Sequence, residues 1–95
     1  MSKVFPVMGK THKYPAKTAI LEAVARGETV PLIFACGDNK LIVMTQQGKQ
    51  AGCLPPNPAV IHDYNILCRM VTQDVSVNAT AVYHTGLKFA VEVSI

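Results

Sequence analysis

The sequence predicts an α+β domain, a small and partly open β-barrel of about six strands with two helices in the order β-α-β-β-β-α-β-β. The C-terminal third supports this most clearly, because residues 75–84 and 87–95 alternate apolar and polar side chains with the period of half-buried strands. Residues 16–26 instead repeat with helical spacing. Short turns separate these segments without a linker or repeat, so residues 1–95 are predicted to form a single domain.

The predicted strands of the N-terminal half are apolar runs bounded by glycine, proline and short polar turns. Pro6 interrupts the first of them. Because proline has no N–H, this strand is expected at a sheet edge or at a bend. The four strands cover residues 3–9, 29–36, 41–45 and 50–54.

The first helix is predicted over residues 16–26, with its apolar side chains on one face and Lys17 on the surface. Gly27 supplies the left-handed residue that commonly follows a helix end. Glu22 and Arg26 stand four residues apart, a spacing that allows an ion pair along the helix.

The second helix is predicted to begin at Pro58, with Asn57 as its N-cap and a break or second turn near Asn65. Two longer strands follow, joined by a hairpin connection at Thr85-Gly86. The most informative stretch precedes this helix: in residues 48–55 (GKQAGCLP), two glycines follow an apolar strand and lead into prolines. We expect this stretch to form a β-turn-β corner of a curled sheet.

The composition is that of a compact, apolar domain. Hydrophobic residues make up 49% of the chain and charged residues 16%, below the roughly 25% of typical domains, and an apolar excess can cover a protein partner. The net charge of +3 permits nucleic acid as a ligand but is also ordinary for a small domain. With no signal peptide and no apolar run of about 20 residues, the chain is expected to be cytoplasmic, without a membrane partner.

No residue pattern predicts an active site, a metal site or a cofactor. Cys36, Cys53 and Cys68 lack metal-binding spacing, and their apolar settings favour free, reduced thiols. The adjacent His62 and Asp63 would not face each other on a helix. We therefore expect a protein without enzymatic activity.

A basic and aromatic stretch follows the first strand. Its lysines could neutralise phosphates and its flat rings could stack on bases, the combination that binds single-stranded nucleic acid. Lys40 and Lys49 lie on predicted turns that could border the same groove. In the alternative, the tyrosine covers the helix start and the lysines are solvated. The stretch contains Lys10, His12, Lys13, Tyr14 and Lys17.

With this order of elements, several segments resemble the HIRAN domain family, which occurs alone in bacteria and phages and fused to helicase-like chromatin remodellers. One is residues 7–14 (VMGKTHKY), where a strand ends in glycine before a polar aromatic stretch, and another is residues 27–32 (GETVPL). The most diagnostic part combines residues 41–44 (LIVM) with residues 48–54 (GKQAGCL).

The resemblance implies a DNA-binding domain. In the remodeller member, a polar loop between the second and third strands helps to hold the free 3′ end of single-stranded DNA. In this sequence the loop shortens to residues 37–40, where Asp38 or Asn39 could keep the polar role. These two residues and Lys40 therefore join the candidate DNA-binding set.

Two functions follow. The first is a non-catalytic module that binds single-stranded DNA or DNA ends. The alternative is a protein-interaction module, such as a phage or mobile-element factor that binds a host protein or assembles into a homo-oligomer. Convergence of the lysines on one groove, with Tyr14 at its floor, would favour DNA, whereas a dominant exposed apolar patch would favour a protein partner.

Overall fold

A computed structural model describes residues 2–10, 12–75, 77–84 and 88–94. Its strands are β1 (Ser2–Pro6), β2 (Val30–Gly37), β3 (Lys40–Thr45), β4 (Gln50–Leu54), β5 (Asn78–Tyr83) and β6 (Phe89–Ser94). Its helices are α1 (Ala16–Ala25) and α2 (Ile61–Thr72), the latter preceded by a 3-10 turn at Pro58–Val60. The fold is α+β, with the six strands in one antiparallel sheet of order β1-β6-β5-β2-β3-β4 that is not closed into a barrel.

The core lies between one face of the sheet and the two helices. Ile20 of α1 and Tyr64 and Leu67 of α2 are buried against strand residues. The alternation of β5 places Tyr83 on the buried face, but Tyr83 is the last residue of the strand and is 69% exposed. The buried face of β5 therefore ends at Ala81. The strand side chains of the core are Phe5, Leu32, Leu41, Val43, Ala51, Leu54, Ala79, Ala81, Phe89, Val91 and Val93.

Local sequence features set several element ends as predicted. Gly27 follows the end of α1 with φ of 79°, in the left-handed region that glycine adopts readily. The Asn57 side chain accepts a hydrogen bond from the N–H of Ala59 at 3.0 Å, which confirms the predicted N-cap. Strand β1 lies at the sheet edge, as Pro6 predicted, but it ends at Pro6 and not at residue 9. The predicted connection at Thr85-Gly86 lies outside the described residues.

Two local predictions are wrong. Helix α2 continues through Asn65 without a break, because Tyr64 and Leu67 anchor it to the core on both sides of that residue. The change of helix type falls earlier, where the 3-10 turn gives way to α2. Arg26 pairs with Glu28 and not with Glu22, since Arg26 has already left the helical conformation at the end of α1.

The chain beyond β1 crosses to the opposite sheet edge and contacts β4. The Met8 N–H donates to the Cys53 carbonyl at 2.9 Å, and the Cys53 N–H donates to the Met8 carbonyl at 2.8 Å. Gly52 permits this approach, because a Cβ at that position would collide with the Val7 side chain and lie 2.8 Å from the Met8 carbonyl oxygen. The predicted β-turn-β corner is thus present, and its second glycine is the point where the two sheet edges meet.

Two prolines stop this bridge from extending into a ladder. In the antiparallel register of the bridge, the next mutually bonded position after Met8 and Cys53 would pair Pro6 with Pro55. Neither proline has an N–H, so neither hydrogen bond can form. The sheet therefore stays open at this seam, where a pocket of about 200 Å³ is lined mainly by apolar side chains.

We predict that Gly52→Ala destabilises the fold more than Gly48→Ala. The added methyl at residue 52 must displace the Val7–Met8 segment, at a cost of about 3 kcal/mol. At Gly48 no atom lies within 4 Å of an added Cβ, so alanine meets no steric clash there. Its only cost is the strain of holding alanine at a φ of 85°, about 1 kcal/mol. Urea unfolding of both variants measures the difference. Equal losses would contradict the close approach.

A second prediction concerns Tyr64, whose buried hydroxyl donates to the Leu54 carbonyl at 2.9 Å. Burial, and secondarily a hydrogen bond with Cys68, raise the pKa of Tyr64 from 10.0 to about 12. Because the folded-state pKa lies above the unfolded value, the neutral phenol stabilises the fold fully below pH 10, and this contribution is lost as the pH rises through 12.

Urea unfolding from about pH 9 to about pH 12 should therefore show the stability of the wild type falling relative to Tyr64→Phe. Phenylalanine keeps the ring but cannot ionise, so Tyr64→Phe is the matched control for every other effect of pH on stability. A difference between the two proteins that stays constant over this range would rule the effect out.

Candidate nucleic-acid interface

The nine candidate residues fall into two groups at opposite ends of β3. Lys40 is the first residue of this strand, and Lys49 follows the turn after Thr45, its last residue. Six residues of extended chain separate the two ends by roughly 17 Å. The two predicted turns therefore do not border one groove, and the full convergence expected of the lysines is absent.

The larger group lies beside the start of helix α1, and we call this region the α1 end. The Lys10 carbonyl accepts hydrogen bonds from the N–H groups of Lys13 and Tyr14, both at 3.0 Å, which closes a tight turn before α1. We call this turn the basic loop, and the structure describes its Lys10 and its residues 12–14. The basic loop begins two residues after the Met8 bridge to β4.

Lys49 belongs to the same region. It lines a groove together with Pro15 and Ala16, the residues that follow the basic loop. Lys10, His12, Lys13 and Lys49 are all exposed, and we call these four side chains the basic surface.

Tyr14 and Lys17 are not part of this surface. Tyr14 is 4% exposed, with its ring packed on Gly9, where an added Cβ would lie 2.6 Å from the Tyr14 Cδ2 atom. The expected groove with Tyr14 at its floor is therefore not formed. The burial of Tyr14 directly before helix α1 agrees better with the alternative, in which this tyrosine covers the start of the helix.

Lys17 was expected on the surface of the helix but is 5% exposed. Its ammonium Nζ donates to the Gly9 carbonyl at 2.6 Å, across the base of the basic loop. The side chain ties α1 to the segment that leads into this loop. No carboxylate of the described residues lies within ion-pair distance of Lys17.

The electrostatics of the α1 end follow from the distribution of acidic residues. The sequence has no Asp or Glu before Glu22 and none between Asp38 and Asp63. The basic loop, the β3–β4 turn and β4 all come from these two acid-free stretches. A helix N-terminus adds partial positive charge, and the basic loop and the first turn of α1 contain no acidic residue to offset it.

The smaller group consists of Asp38, Asn39 and Lys40. It lies beside helix α2, and we call this region the α2 end. Asp38 and Asn39 form the β2–β3 turn, with Asn39 at a φ of 56°, and Lys40 is half-buried beside them. Asn39 and Lys40 line a pocket with Cys68 and Thr72 of α2. This group includes a carboxylate, so its potential towards a phosphate is weaker than that of the basic surface.

Sequence reasoning missed the groove between α1 and the β3–β4 turn, which has a volume of about 470 Å³. Ala16, Ala19 and Ala23 form its helical wall. Their spacing of three and four residues on one helix face is visible in the sequence, but the larger Ile20, Leu21 and Val24 dominate the apolar pattern of this helix.

The described ranges contain no group of three or more His, Cys, Asp or Glu side chains placed to hold a metal ion. Cys36, Cys53 and Cys68 are free thiols. Asp63 faces the Lys3 ammonium at 3.7 Å and not its neighbour His62. None of the helices in the described ranges is long and apolar enough to cross a membrane.

Comparison with protein-family models, curated proteins and solved structures finds no match for this chain. The resemblance to the HIRAN family therefore rests on the segments given above.

We predict that Lys17→Met raises the free energy of unfolding by about 1 kcal/mol, because a buried ammonium without a carboxylate partner carries an uncompensated desolvation cost that a thioether avoids. Chemical denaturation measures the effect. Lys10→Met, at an exposed position of the same loop, serves as the control and should change stability by less than about 0.5 kcal/mol. A loss of stability in Lys17→Met would show that the bond to Gly9 outweighs the desolvation cost.

Proposed function

We propose that this protein is a non-catalytic module that binds DNA, as single strands or at DNA ends, through the basic surface. The observation that carries the proposal is that Lys49 lines a groove with Pro15 and Ala16, directly after the loop that exposes Lys10, His12 and Lys13, and that these residues come from acid-free stretches of the chain. Phosphates are the ligands that such a surface attracts most strongly, because each lysine that meets one releases condensed counterions.

The structure supports phosphate contacts more than aromatic stacking. Tyr14 is buried, which leaves the exposed His12 as the ring on this surface available to a base. We therefore expect an affinity that depends steeply on salt, as is general for proteins that track a nucleic-acid backbone.

We also propose that the fold is HIRAN-like and that its curled sheet corresponds to a partly open barrel. The order of strands and helices agrees with the resemblance, and residues 48–54 form the turn and strand that this family places there. The contact of Met8 with Cys53 brings the two edges of the sheet together at one point.

The second candidate function is protein interaction, by a phage or mobile-element factor that binds a host protein or a second copy of itself. The observation that favours it is the pocket at the open seam, where buried Phe5 and Leu54 form an apolar floor and Met8 is 43% exposed at the rim. The basic surface does not contribute to this pocket.

Fluorescence anisotropy with a labelled single strand of about 12 nucleotides tests the first function. We predict that Lys13→Gln combined with Lys49→Gln weakens binding and lowers the slope of log affinity against log salt by about 0.7 for each lysine. The matched control is Lys40→Gln with Arg69→Gln, which removes the same charge from the α2 end and should leave the slope near that of the wild type.

Equal effects of the two double variants would mean that net charge alone governs the affinity, and the basic surface would lose its role. If the wild-type protein shows no binding to single-stranded, double-stranded or end-bearing DNA at micromolar concentration and low salt, the proposed function is rejected. The seam pocket then becomes the leading candidate site.

A further inference from the structure

The groove beside the basic surface has two walls of different chemistry. Ala16, Ala19 and Ala23 form the helical wall, and Ile20 and Val30 contribute apolar surface between the walls. Because alanines carry no side chain beyond Cβ, this wall is low and apolar. It offers space beside α1 for a flat group to lie against the helix.

The opposite wall is polar and comes from the β3–β4 turn. Thr45, Gln47 and Lys49 line it, with Lys49 shared between the groove and the basic surface. The Thr45 hydroxyl already accepts the Lys49 N–H at 3.2 Å, which fixes the turn. Gln47 is exposed and carries both a hydrogen-bond donor and an acceptor.

We propose that this groove accepts an unpaired nucleobase of the bound DNA, while the flanking phosphates contact Lys49 and Lys13. The proposal rests on the proposed function and deepens it, since it makes an unstacked single strand the preferred ligand. A base has a flat apolar face for the alanine wall and polar edges for Gln47, so its chemistry matches both walls.

The charge around the groove specifies this occupant over an uncharged apolar group. Lys49 lines the groove, and Lys13 lies two residues before Pro15, which also lines it. A nucleobase can place its apolar face in the groove while the phosphates on either side of it contact the lysines. A base within a duplex does not, because its faces are stacked and its edges are paired.

The direct test compares two labelled oligonucleotides of equal length and equal phosphate number, oligothymidine and its abasic counterpart, by fluorescence anisotropy at low salt. The groove predicts roughly tenfold tighter binding of oligothymidine, which is the usual contribution of one well-placed base. Equal affinities for the two ligands would overturn the inference.

Ala19→Leu fills the groove without altering charge and should bring oligothymidine binding down to the abasic level, while the abasic affinity and the salt slope stay unchanged. Ala25→Leu makes the same change at an exposed position on the opposite side of α1 and should leave both affinities at wild-type values. A uniform loss on both ligands in Ala19→Leu would also overturn the inference. Circular dichroism and thermal melting confirm that both variants are folded.

The two proposals fail in different ways. If oligothymidine and the abasic strand bind equally, with the steep salt dependence of phosphate contacts, the DNA-binding function stands and the base site is rejected. If neither oligonucleotide binds, the proposed function itself is rejected, and the base site with it.

Discussion

The backbone of Met8 and Gly9 lies directly against Gly52, with no space for a side chain between the two segments. Two hydrogen bonds to Cys53 hold this contact, and it fixes the path of the chain that follows. From this contact the chain passes through the basic loop to Pro15 and Ala16, which line a groove with Lys49 although they are distant from it in sequence. Glycine at residue 52 is therefore a condition for the basic surface as well as for the fold.

The same region accumulates positive charge that stability alone does not explain. Lys17 is buried beneath the basic loop with a single carbonyl as its partner, and the exposed lysines above it have no acidic neighbours in their own stretches of sequence. Burying an ammonium without a counter-charge costs free energy, and like charges at a surface add to that cost. An anionic ligand at the basic surface would relieve the repulsion among the exposed lysines, which is the physical reason to propose a polyanion as the ligand of this end.

Sequence reasoning succeeded where a residue acts through its immediate neighbours. Gly27 ends α1 and Asn57 caps the next helical turn, because their roles depend on their own backbone and on atoms two residues away. It failed where distant segments decide the outcome. The burial of Lys17 requires Gly9 to lie across from α1, and the continuity of α2 through Asn65 requires the core that forms around it. The separation of Lys40 from Lys49 could not be predicted for the same reason. The residues of a turn do not indicate at which end of the sheet the turn lies.

The separation of Lys40 from Lys49 also limits which of the candidate residues one ligand can contact. Lys40 and Lys49 are separated by roughly 17 Å, the length of about five stacked nucleotides at a rise of 3.4 Å. A strand that used both would cross the outer side of β3, where the half-buried Ile42 and Met44 offer no charge to its phosphates. At the α1 end, by contrast, lysines, a polar turn and an apolar groove are contiguous through Lys49. If the proposed function holds, the shortest strand that satisfies phosphate and base contacts together is therefore expected to bind at the α1 end alone, and Asp38, Asn39 and Lys40 are left for a separate contact or for none.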